Sequence, residues 1–201
     1  MKEKLIGNLS RGFVFVLSAP AGTGKTTLVH MLTKEFSCIK ESVSYTTRTP
    51  RVGEVHGVDY YFVSLEEFTK KKAAGDFLEC AEVFGEWYGT SKEALQKVVE
   101  SGSHVFLVID TQGAMLLQKE NFQAIYIFIA PPSIEILEER LIKRKTEDDA
   151  KRTERLSWAK KEMERSSFYD FLIVNDDLQV AYSVLKSIVV AEEHRVVKKN
   201  R

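Results

Sequence analysis

The sequence predicts an α/β fold in which a parallel sheet carries helices on both faces. Two observations lead to this fold class: uniformly apolar runs rich in β-branched and aromatic residues, and amphipathic segments that follow them. Short runs of this kind are typical of strands buried on both faces of a sheet. When such strands alternate with helices, right-handed crossovers make neighbouring strands parallel.

The predicted strands are Phe13–Leu17, Val105–Ile109, Ile125–Ile129 and Phe171–Val174. Helical spacing of apolar residues predicts a helix after each, at Lys25–Phe36, Gln112–Lys119, Ile134–Lys143 and Leu178–Arg195. In the first helix Leu28, Met31 and Leu32 fall on one side. We expect that side to pack against the sheet.

Residues from about 42 to 100 do not follow this rhythm and predict a smaller mixed α/β lobe. Short strands are expected at Tyr60–Val63 and Phe77–Val83. Two Ser/Thr-x-x-Glu patterns, Ser64 with Glu67 and Thr90 with Glu93, predict helix starts with capping boxes.

Residues from about 139 to 167 are crowded with charged side chains, and their apolar stripe of Leu156, Ala159 and Met163 is thin. A helix with little to bury is held weakly and can move. We therefore expect one domain that has a core, an inserted lobe and a charged, weakly held helical segment, which the resemblance described below implies is a lid. The core covers about 1–41, 101–138 and 168–201, the lobe about 42–100 and the lid about 139–167.

The composition excludes several classes of protein. The 201 residues carry 29 Lys+Arg against 29 Asp+Glu and are 44% hydrophobic, which argues against disorder and against a dedicated nucleic-acid binder. Cys38, Cys80 and the four scattered histidines show neither a disulfide framework nor metal-ligand spacing. The apolar run after Lys2 and Lys4 is shorter than a signal peptide requires, and no run approaches the roughly 18 residues that cross a bilayer. We expect a cytoplasmic protein with reduced thiols, no nucleic-acid partner and no membrane partner.

A phosphate-binding loop is predicted at residues 19–26, Ala-Pro-Ala-Gly-Thr-Gly-Lys-Thr, between the first strand and its helix. This matches the Walker A pattern Gly-x-x-x-x-Gly-Lys-Ser/Thr, with alanine in place of the first glycine. Gly22 and Gly24 allow backbone N–H groups to turn toward phosphate oxygens. Lys25 supplies a charge for the β- and γ-phosphates, and the Thr26 hydroxyl is a ligand for Mg²⁺. The alternative is a glycine-rich turn without a ligand.

Asp110 directly follows the strand Val105–Ile109, where a Walker B aspartate belongs. Such a carboxylate holds Mg²⁺ directly or through water. An aspartate after a buried strand also serves as a helix cap, so both interpretations stay open here.

The stretch from Ser44 to Gly57, Ser-Tyr-Thr-Thr-Arg-Thr-Pro-Arg-Val-Gly-Glu-Val-His-Gly, is the most distinctive part of the sequence. Together with the phosphate loop it closely resembles the guanylate kinase family, whose members phosphorylate GMP from ATP. The likeness continues in order along nearly the whole chain, through 59–63, 77–79, 88–91, 109–113, 130–133 and 173–177. The resemblance implies a P-loop NTPase-type fold with a GMP-binding lobe and a lid, ATP and GMP as substrates, and Mg²⁺ as cofactor. It leaves the choice between monomer and homo-oligomer open.

The resemblance assigns the acceptor phosphate to Arg48, Arg51, Tyr60 and Tyr88. Arginine offers a planar, permanently charged fork that suits a monophosphate, and a tyrosine adds a phenolic donor. Without the resemblance, two surface arginines in a loop are an equal alternative.

Guanine recognition is assigned by the resemblance to Ser44, Glu79 and Thr90. Guanine presents N1–H and N2–H donors that a carboxylate at Glu79 can accept, whereas adenine has an acceptor at N1. A site built on such bonds can reject an analogue that lacks them by roughly 10⁴–10⁵. The alternative for Glu79 is a solvated strand carboxylate.

In the family a lid closes over ATP with arginines that match Arg140, Arg144 and Arg155, where such side chains stabilise the transferred phosphoryl group. Arg140 equally suits a helix surface. Asn175 matches a position near the adenine and could also cap the last helix. The resemblance thus predicts catalytic roles for Lys25, Arg48, Arg144 and Arg155. ATP is assigned to Ala19, Pro20, Ala21, Gly22, Thr23, Gly24, Lys25, Thr26, Thr27 and Asn175. GMP is assigned to Ser44, Arg48, Arg51, Glu54, Tyr60, Glu79, Tyr88, Thr90 and Asp110, and Mg²⁺ to Thr26 and Asp110.

The expected chemistry needs no general base, because the GMP phosphate is already an anionic nucleophile. The sequence departs from the family pattern at Val108, where an aspartate is usual, and at Lys143 and Lys145, where glycines usually flank the lid arginine. Two other functions stay open: a related kinase acting on ribose 1,5-bisphosphate, and a guanylate-kinase-like binding module without chemistry. The first would not need the guanine-reading residues, and the second typically loses the lysine of the phosphate loop.

Overall fold

The computed structural model describes residues 5–143 and 149–196, with side chains from residue 153 onward in the second range. The described strands are β1 Val14–Ser18, β2 Ile39–Glu41, β3 Tyr45–Thr46, β4 Tyr61–Phe62, β5 Phe77–Val83, β6 Glu86–Ser91, β7 His104–Val108, β8 Ile125–Ala130 and β9 Phe171–Val174. The helices are α1 Lys25–Glu35, α2 Leu65–Ala73, α3 Lys92–Glu100, α4 Thr111–Lys119, α5 Ile134–Lys143, α6 Asp149–Glu164 and α7 Leu178–Glu193. A short 3₁₀ turn, Arg165–Phe168, follows α6.

The central sheet has five parallel strands in the order β2-β7-β1-β8-β9. Alternate residues of β1 point to opposite faces, with Phe15 and Leu17 in one apolar cluster and Val14 and Val16 in another. The first cluster includes side chains of α1 and α7, and the second includes side chains of α3 and α4. Because both faces are covered, β1 is buried throughout, which explains its uniformly apolar sequence. The predicted α/β class is confirmed.

The four predicted core strands are confirmed, each displaced by at most one residue at an end. The four predicted helices are confirmed as α1, α4, α5 and α7. Strand β2 at the sheet edge was not predicted, because this short strand carries Lys40 and Glu41 beside a single buried apolar residue.

A second sheet of four strands, in the order β4-β3-β6-β5, lies between β2 and β7 in the chain. Its strands β5 and β6 form an antiparallel hairpin, and α2 covers one side through Phe68, whose ring stacks 4.7 Å from that of Phe77. Ser64 caps α2 by accepting a bond from the N–H of Glu67, as its sequence pattern predicts.

The predicted cap at Thr90 is wrong, because α3 is capped by Ser91, whose hydroxyl accepts from the N–H of Ala94. Thr90 lies one residue earlier on β6 and is fully buried, with its hydroxyl directed to Glu79. Thr90 and Ser91 both carry a hydroxyl that could cap α3, and the alternation of side chains along β6 turns Thr90 into the interior.

Helices α5 and α6 share a small apolar cluster in which Leu137, Leu141 and Ala159 are buried. Few side chains of α6 contribute to it, in agreement with the thin stripe in the sequence. Within the described ranges, no helix combines the length and apolar character needed to cross a bilayer.

A buried cluster of hydrogen bonds joins the two ends of the described chain to β7. Nε2 of His104 lies 2.6 Å from Oε2 of Glu193, and their side chains are 0% and 2% exposed. The backbone N–H groups of Gly7 and Asn8 donate to the same carboxylate at 2.7 and 3.0 Å. The last turn of α7 is thereby fastened to β7 and to the amino-terminal segment.

Candidate active site

A cavity of about 440 Å³ lies at the carboxyl ends of β1 and β7, between the central sheet, the second sheet and α6. It gathers most of the sequence-predicted residues: Ala19, Ala21, Gly22, Gly24, Lys25, Thr26, Thr27, Ser44, Arg48, Arg51, Glu54, Tyr60, Glu79, Tyr88, Asp110 and Arg155. The predicted residues Pro20, Thr23, Thr90 and Asn175 do not line it. Arg144 and Lys145 lie outside the described residues.

The loop between β1 and α1 is folded on itself. Thr23 is fully buried and donates its hydroxyl to the carbonyl of Pro20 at 2.6 Å. Gly22 and Gly24 adopt φ values of 95° and 91°, which side chains with a Cβ rarely adopt. No side chain caps the start of α1. Helix N–H groups without a side-chain cap provide a site for anionic oxygens.

Asn175 holds this loop in place from the end of β9. It is 5% exposed, and its Nδ2 donates to the carbonyl of Thr23 at 2.6 Å. The alternative that it caps the last helix is wrong, because Asp177 caps α7. Arg140 does not line the cavity; it is half-buried on α5 and donates to the carbonyl of Asn175 at 2.9 Å.

Arg48 belongs to a polar cluster at the mouth of the second sheet. Its guanidinium donates to Oε1 of Glu54 at 2.8 Å and lies 5.4 Å from the ring centre of Tyr60, which meets the Tyr88 ring edge-on. Burial lowers the pKa of Arg48, but Glu54 and Tyr88 outweigh it and the net pKa is raised. Arg51 is exposed, and its N–H donates to the other oxygen of Glu54 at 2.7 Å. Arg48 is therefore not a loose surface cation.

Glu79 lies deeper in the same cavity and is only 8% exposed, so the alternative of a solvated carboxylate is wrong. Its Oε1 accepts the hydroxyl of Thr90 at 2.6 Å. Its Oε2 lies so close to Gly113 that a Cβ there would approach within 2.7 Å. Burial, with a smaller contribution from the charge of Asp110, raises the pKa of Glu79 to about 7, although the hydrogen bond from Thr90 opposes the rise.

Asp110 caps α4, since its Oδ1 accepts from the N–H of Gly113 at 2.9 Å, and its Oδ2 accepts from Gln112 at 3.1 Å. It also faces the cavity that Thr26 lines, so the capping role and a metal-linked role are compatible. The described residues contain no group of three or more His, Cys, Asp or Glu side chains that could hold a metal ion. Mg²⁺ usually takes one or two protein oxygens beside waters and phosphates, and the oxygens of Thr26 and Asp110 fit that mode.

Several cavity residues had no signal in the sequence, among them Phe84 in the turn between β5 and β6, and Trp158 and Glu162 on α6. The Glu162 carboxylate accepts the backbone N–H of Thr111 at the start of α4. Burial raises the pKa of Glu162 to about 7, with Lys25 opposing that rise. Because α6 is charged on most of its surface, no pattern in the chain distinguishes its inward-facing residues.

A strand, a loop with a lysine and a helix at the carboxyl edge of a parallel sheet define a nucleotide-phosphate site of the P-loop class. A model of the family described as guanylate kinase matches residues 12–192. The chain belongs to the guanylate kinase family.

Relatives and a solved structure agree with this assignment. The chain is 52% identical over 193 residues to a guanylate kinase of Protochlamydia amoebophila, covering 96% of this chain and 98% of the relative. It is 52% identical to a guanylate kinase of Chlamydia felis, covering 92% and 90%. The crystal structure of guanylate kinase from Anaplasma phagocytophilum superposes with a TM-score of 0.75 at 36% identity, covering 92% of this chain and 88% of that chain.

Proposed function

We propose that the chain transfers the γ-phosphoryl group of ATP to GMP and releases ADP and GDP. The observation that carries this function is that a single cavity is lined both by the phosphate loop with Lys25 and by the buried carboxylate of Glu79. One end suits a triphosphate and the other suits a base with two adjacent N–H donors. A transferase for two nucleotides requires both ends in one enclosure.

The donor end binds ATP through the loop between β1 and α1. The glycine backbone and the first turn of α1 receive the phosphates, and Lys25 neutralises them. Thr26 and Asp110 would hold Mg²⁺, which when bound neutralises charge on the donor phosphates. Asn175 acts from behind the loop, because its amide supports the carbonyl of Thr23.

The acceptor end binds GMP through Glu79 at the base and through the cluster around Arg48 at the phosphate. The ionised Glu79 accepts N1–H and N2–H of guanine, while Thr90 satisfies its other side. Adenine would direct a lone pair at this carboxylate, which leaves a buried charge without a partner. Arg48, Arg51 and the two tyrosines then orient the monophosphate toward the donor.

The transfer forms a bond from a GMP phosphate oxygen to the γ-phosphorus and breaks its bond to the bridging oxygen of ADP. The attacking oxygen is already anionic, so no side chain has to remove a proton. Lys25, Arg48 and Arg155 line the cavity and neutralise the charge shared by the two nucleotides. Arg144 is proposed for the same role on the basis of the family resemblance.

We also propose the division into core, lobe (42–100) and lid (139–167), and a cytoplasmic location where ATP and GMP are available. The proposed partners are these small molecules, without nucleic acid.

The test measures ADP release from Mg-ATP with GMP, AMP, CMP, UMP or ribose 1,5-bisphosphate as acceptor. We expect release with GMP alone, and its loss in Lys25→Met. Release with ribose 1,5-bisphosphate would identify the related sugar-phosphate kinase. ATP-independent GMP binding with no release under any condition would point to a binding module, and both results would contradict the proposal.

A further inference from the structure

The turn between β5 and β6 has an unusual residue at its tip. Val83 pairs with Glu86, so the turn consists of Phe84 and Gly85, with φ values of 52° and 78°. Two positive φ values are the pattern of a type I′ turn, for which Asn-Gly is strongly preferred. A bulky side chain in this region is a rare outlier that costs on the order of 1–3 kcal/mol.

The strained position directs an aromatic ring across the cavity to α6. The ring of Phe84 meets that of Trp158 edge-on, with 5.8 Å between the centres. The guanidinium carbon of Arg155 lies 5.7 Å from the centre of the same ring. All three side chains line the cavity. An aromatic face attracts a guanidinium and restricts where it can lie.

This contact connects the part of the site proposed to bind guanine with the helix that carries Arg155. The hairpin that ends in Phe84 carries Glu79 on β5, and α6 carries Arg155. A purely structural turn would gain nothing from a ring that is 43% exposed and sits in a strained conformation. The strain is explained when the ring has a task on the opposite side of the cavity.

We propose that Phe84 is a positioning residue, whose ring places the Arg155 guanidinium for phosphoryl transfer and ties α6 to the hairpin that binds guanine. The inference rests on the function proposed above for Arg155. Phe84 itself touches no reacting atom and acts through its contact with α6.

The test replaces the ring by the residue that the turn prefers. Phe84→Asn relieves the backbone strain, so the melting temperature is expected to stay the same or to rise. At the same time we expect kcat to fall about tenfold, with the KM for ATP changed by less than about twofold. Phe84→Tyr keeps the ring and is expected to restore kcat to within about twofold of wild type.

A double-mutant cycle with Arg155→Ala separates positioning from a general effect. If the ring acts through Arg155, Phe84→Asn lowers kcat by less than about twofold in the Arg155→Ala background. Phe84→Asn with wild-type kcat, or with an equal loss in both backgrounds, would overturn the inference while leaving the proposed function standing. Wild-type kcat in Arg155→Ala alone would instead remove the role of Arg155 on which the inference rests.

A spectroscopic measurement reports the contact itself. The chain has two tryptophans, so Trp87→Phe leaves Trp158 as the single indole. We expect Phe84→Asn to shift the emission of Trp158 in this background. Unchanged emission would show that the rings do not meet in solution and would overturn the inference.

Discussion

The hydroxyl of Thr90 donates a 2.6 Å hydrogen bond to Oε1 of Glu79, and both residues are buried. Thr90 does not line the cavity, so in the proposed function it would act on guanine binding through Glu79. The bond holds one carboxylate oxygen in place and leaves the other side of the group for a ligand.

Thr90→Val removes this hydroxyl at nearly constant volume. Since hydrogen bonds to charged groups are worth about 1.5–3 kcal/mol, we expect kcat/KM for GMP to fall at least about tenfold, with little change in the KM for ATP. Steady-state kinetics with each nucleotide varied in turn would measure this. Thr90→Ser keeps the hydroxyl and serves as the control. A loss in Thr90→Ser but not in Thr90→Val would mean that the methyl packing of Thr90, and not its hydroxyl, is what matters.

The pH dependence of GMP use follows from the raised pKa of Glu79, which is about 7 because of burial. Protonation removes an acceptor for guanine, so kcat/KM for GMP should fall as the pH decreases below about 7. The phosphate of GMP also titrates, near pH 6. The comparison that isolates Glu79 is therefore with Thr90→Val, in which loss of the hydroxyl raises the pKa of Glu79 and moves the profile to higher pH. If wild type and Thr90→Val had the same pH profile of kcat/KM for GMP, Glu79 would not be the group that titrates.

The same carboxylate is expected to destabilise the fold at high pH. The pKa of Glu79 in the folded protein lies above the unfolded value of 4.5, so the folded state is favoured at low pH and loses that advantage as the pH rises from about 4.5 through 7. Glu79→Gln removes the charge, and we expect it to be more stable than wild type at pH 8 by roughly 3 kcal/mol and nearly equal at pH 4.5. Urea unfolding at both pH values would measure the gap. A gap that does not depend on pH would show that Glu79 is not the cause.

Gly113 is predicted to define the position of Glu79. A Cβ at Gly113 would lie 2.7 Å from Oε2, although alanine favours a helix by about 1 kcal/mol over glycine. We expect Gly113→Ala to raise the KM for GMP about tenfold without lowering the melting temperature, because the carboxylate has to shift. The KM for ATP is the internal control. An unchanged KM for GMP would mean that the carboxylate adapts at no cost.

Glu193 illustrates a buried charge whose role is structural. Its Oε2 accepts from Gly7 and from Nε2 of His104, and its Oε1 accepts from Asn8. The N–H of Phe13 donates to Nδ1 of His104, so the proton of a neutral imidazole is on Nε2.

Both carboxylate oxygens of Glu193 accept hydrogen bonds, but the amide of Glu193→Gln has only one oxygen. Whichever way the amide is oriented, its NH₂ group therefore faces at least one of the N–H donors. We expect a loss of about 1–3 kcal/mol in the free energy of unfolding at pH 7. Burial raises the pKa of Glu193, but the three N–H donors outweigh it and the net pKa is lowered, so wild type should lose this advantage as the pH falls below the ordinary carboxyl value of 4.5 and through the lowered pKa. Chemical denaturation across this range measures the difference, and Glu192→Gln on the same turn is a matched control. Equal losses in the two variants would argue against this network.

The elements of the core were predictable because their signals are local. A strand covered on both faces has to be apolar throughout, as β1 is, and a phosphate loop needs positive φ at Gly22 and Gly24. Ser64 was predictable as a cap because its partner, the N–H of Glu67, lies three residues along the chain.

Errors arose where two neighbouring residues could fill the same position. Thr90 and Ser91 could each begin α3, and Asn175 and Asp177 could each begin α7. The choice depends on which of the two faces the interior, and that is set by partners far away in the sequence, namely Glu79 for Thr90 and Thr23 for Asn175.

The sequence by itself determined the fold class, the order of the core elements and the phosphate loop, because periodicity and short motifs are properties of neighbouring residues; the expected guanine-binding residues depend on the resemblance to the guanylate kinase family. Only the tertiary structure decided that Glu79 is buried beside Gly113, that Asp110 caps α4, and that Phe84 meets α6. Burial and contact across a cavity depend on how distant segments pack, and they set both the raised pKa of Glu79 and the position of Arg155.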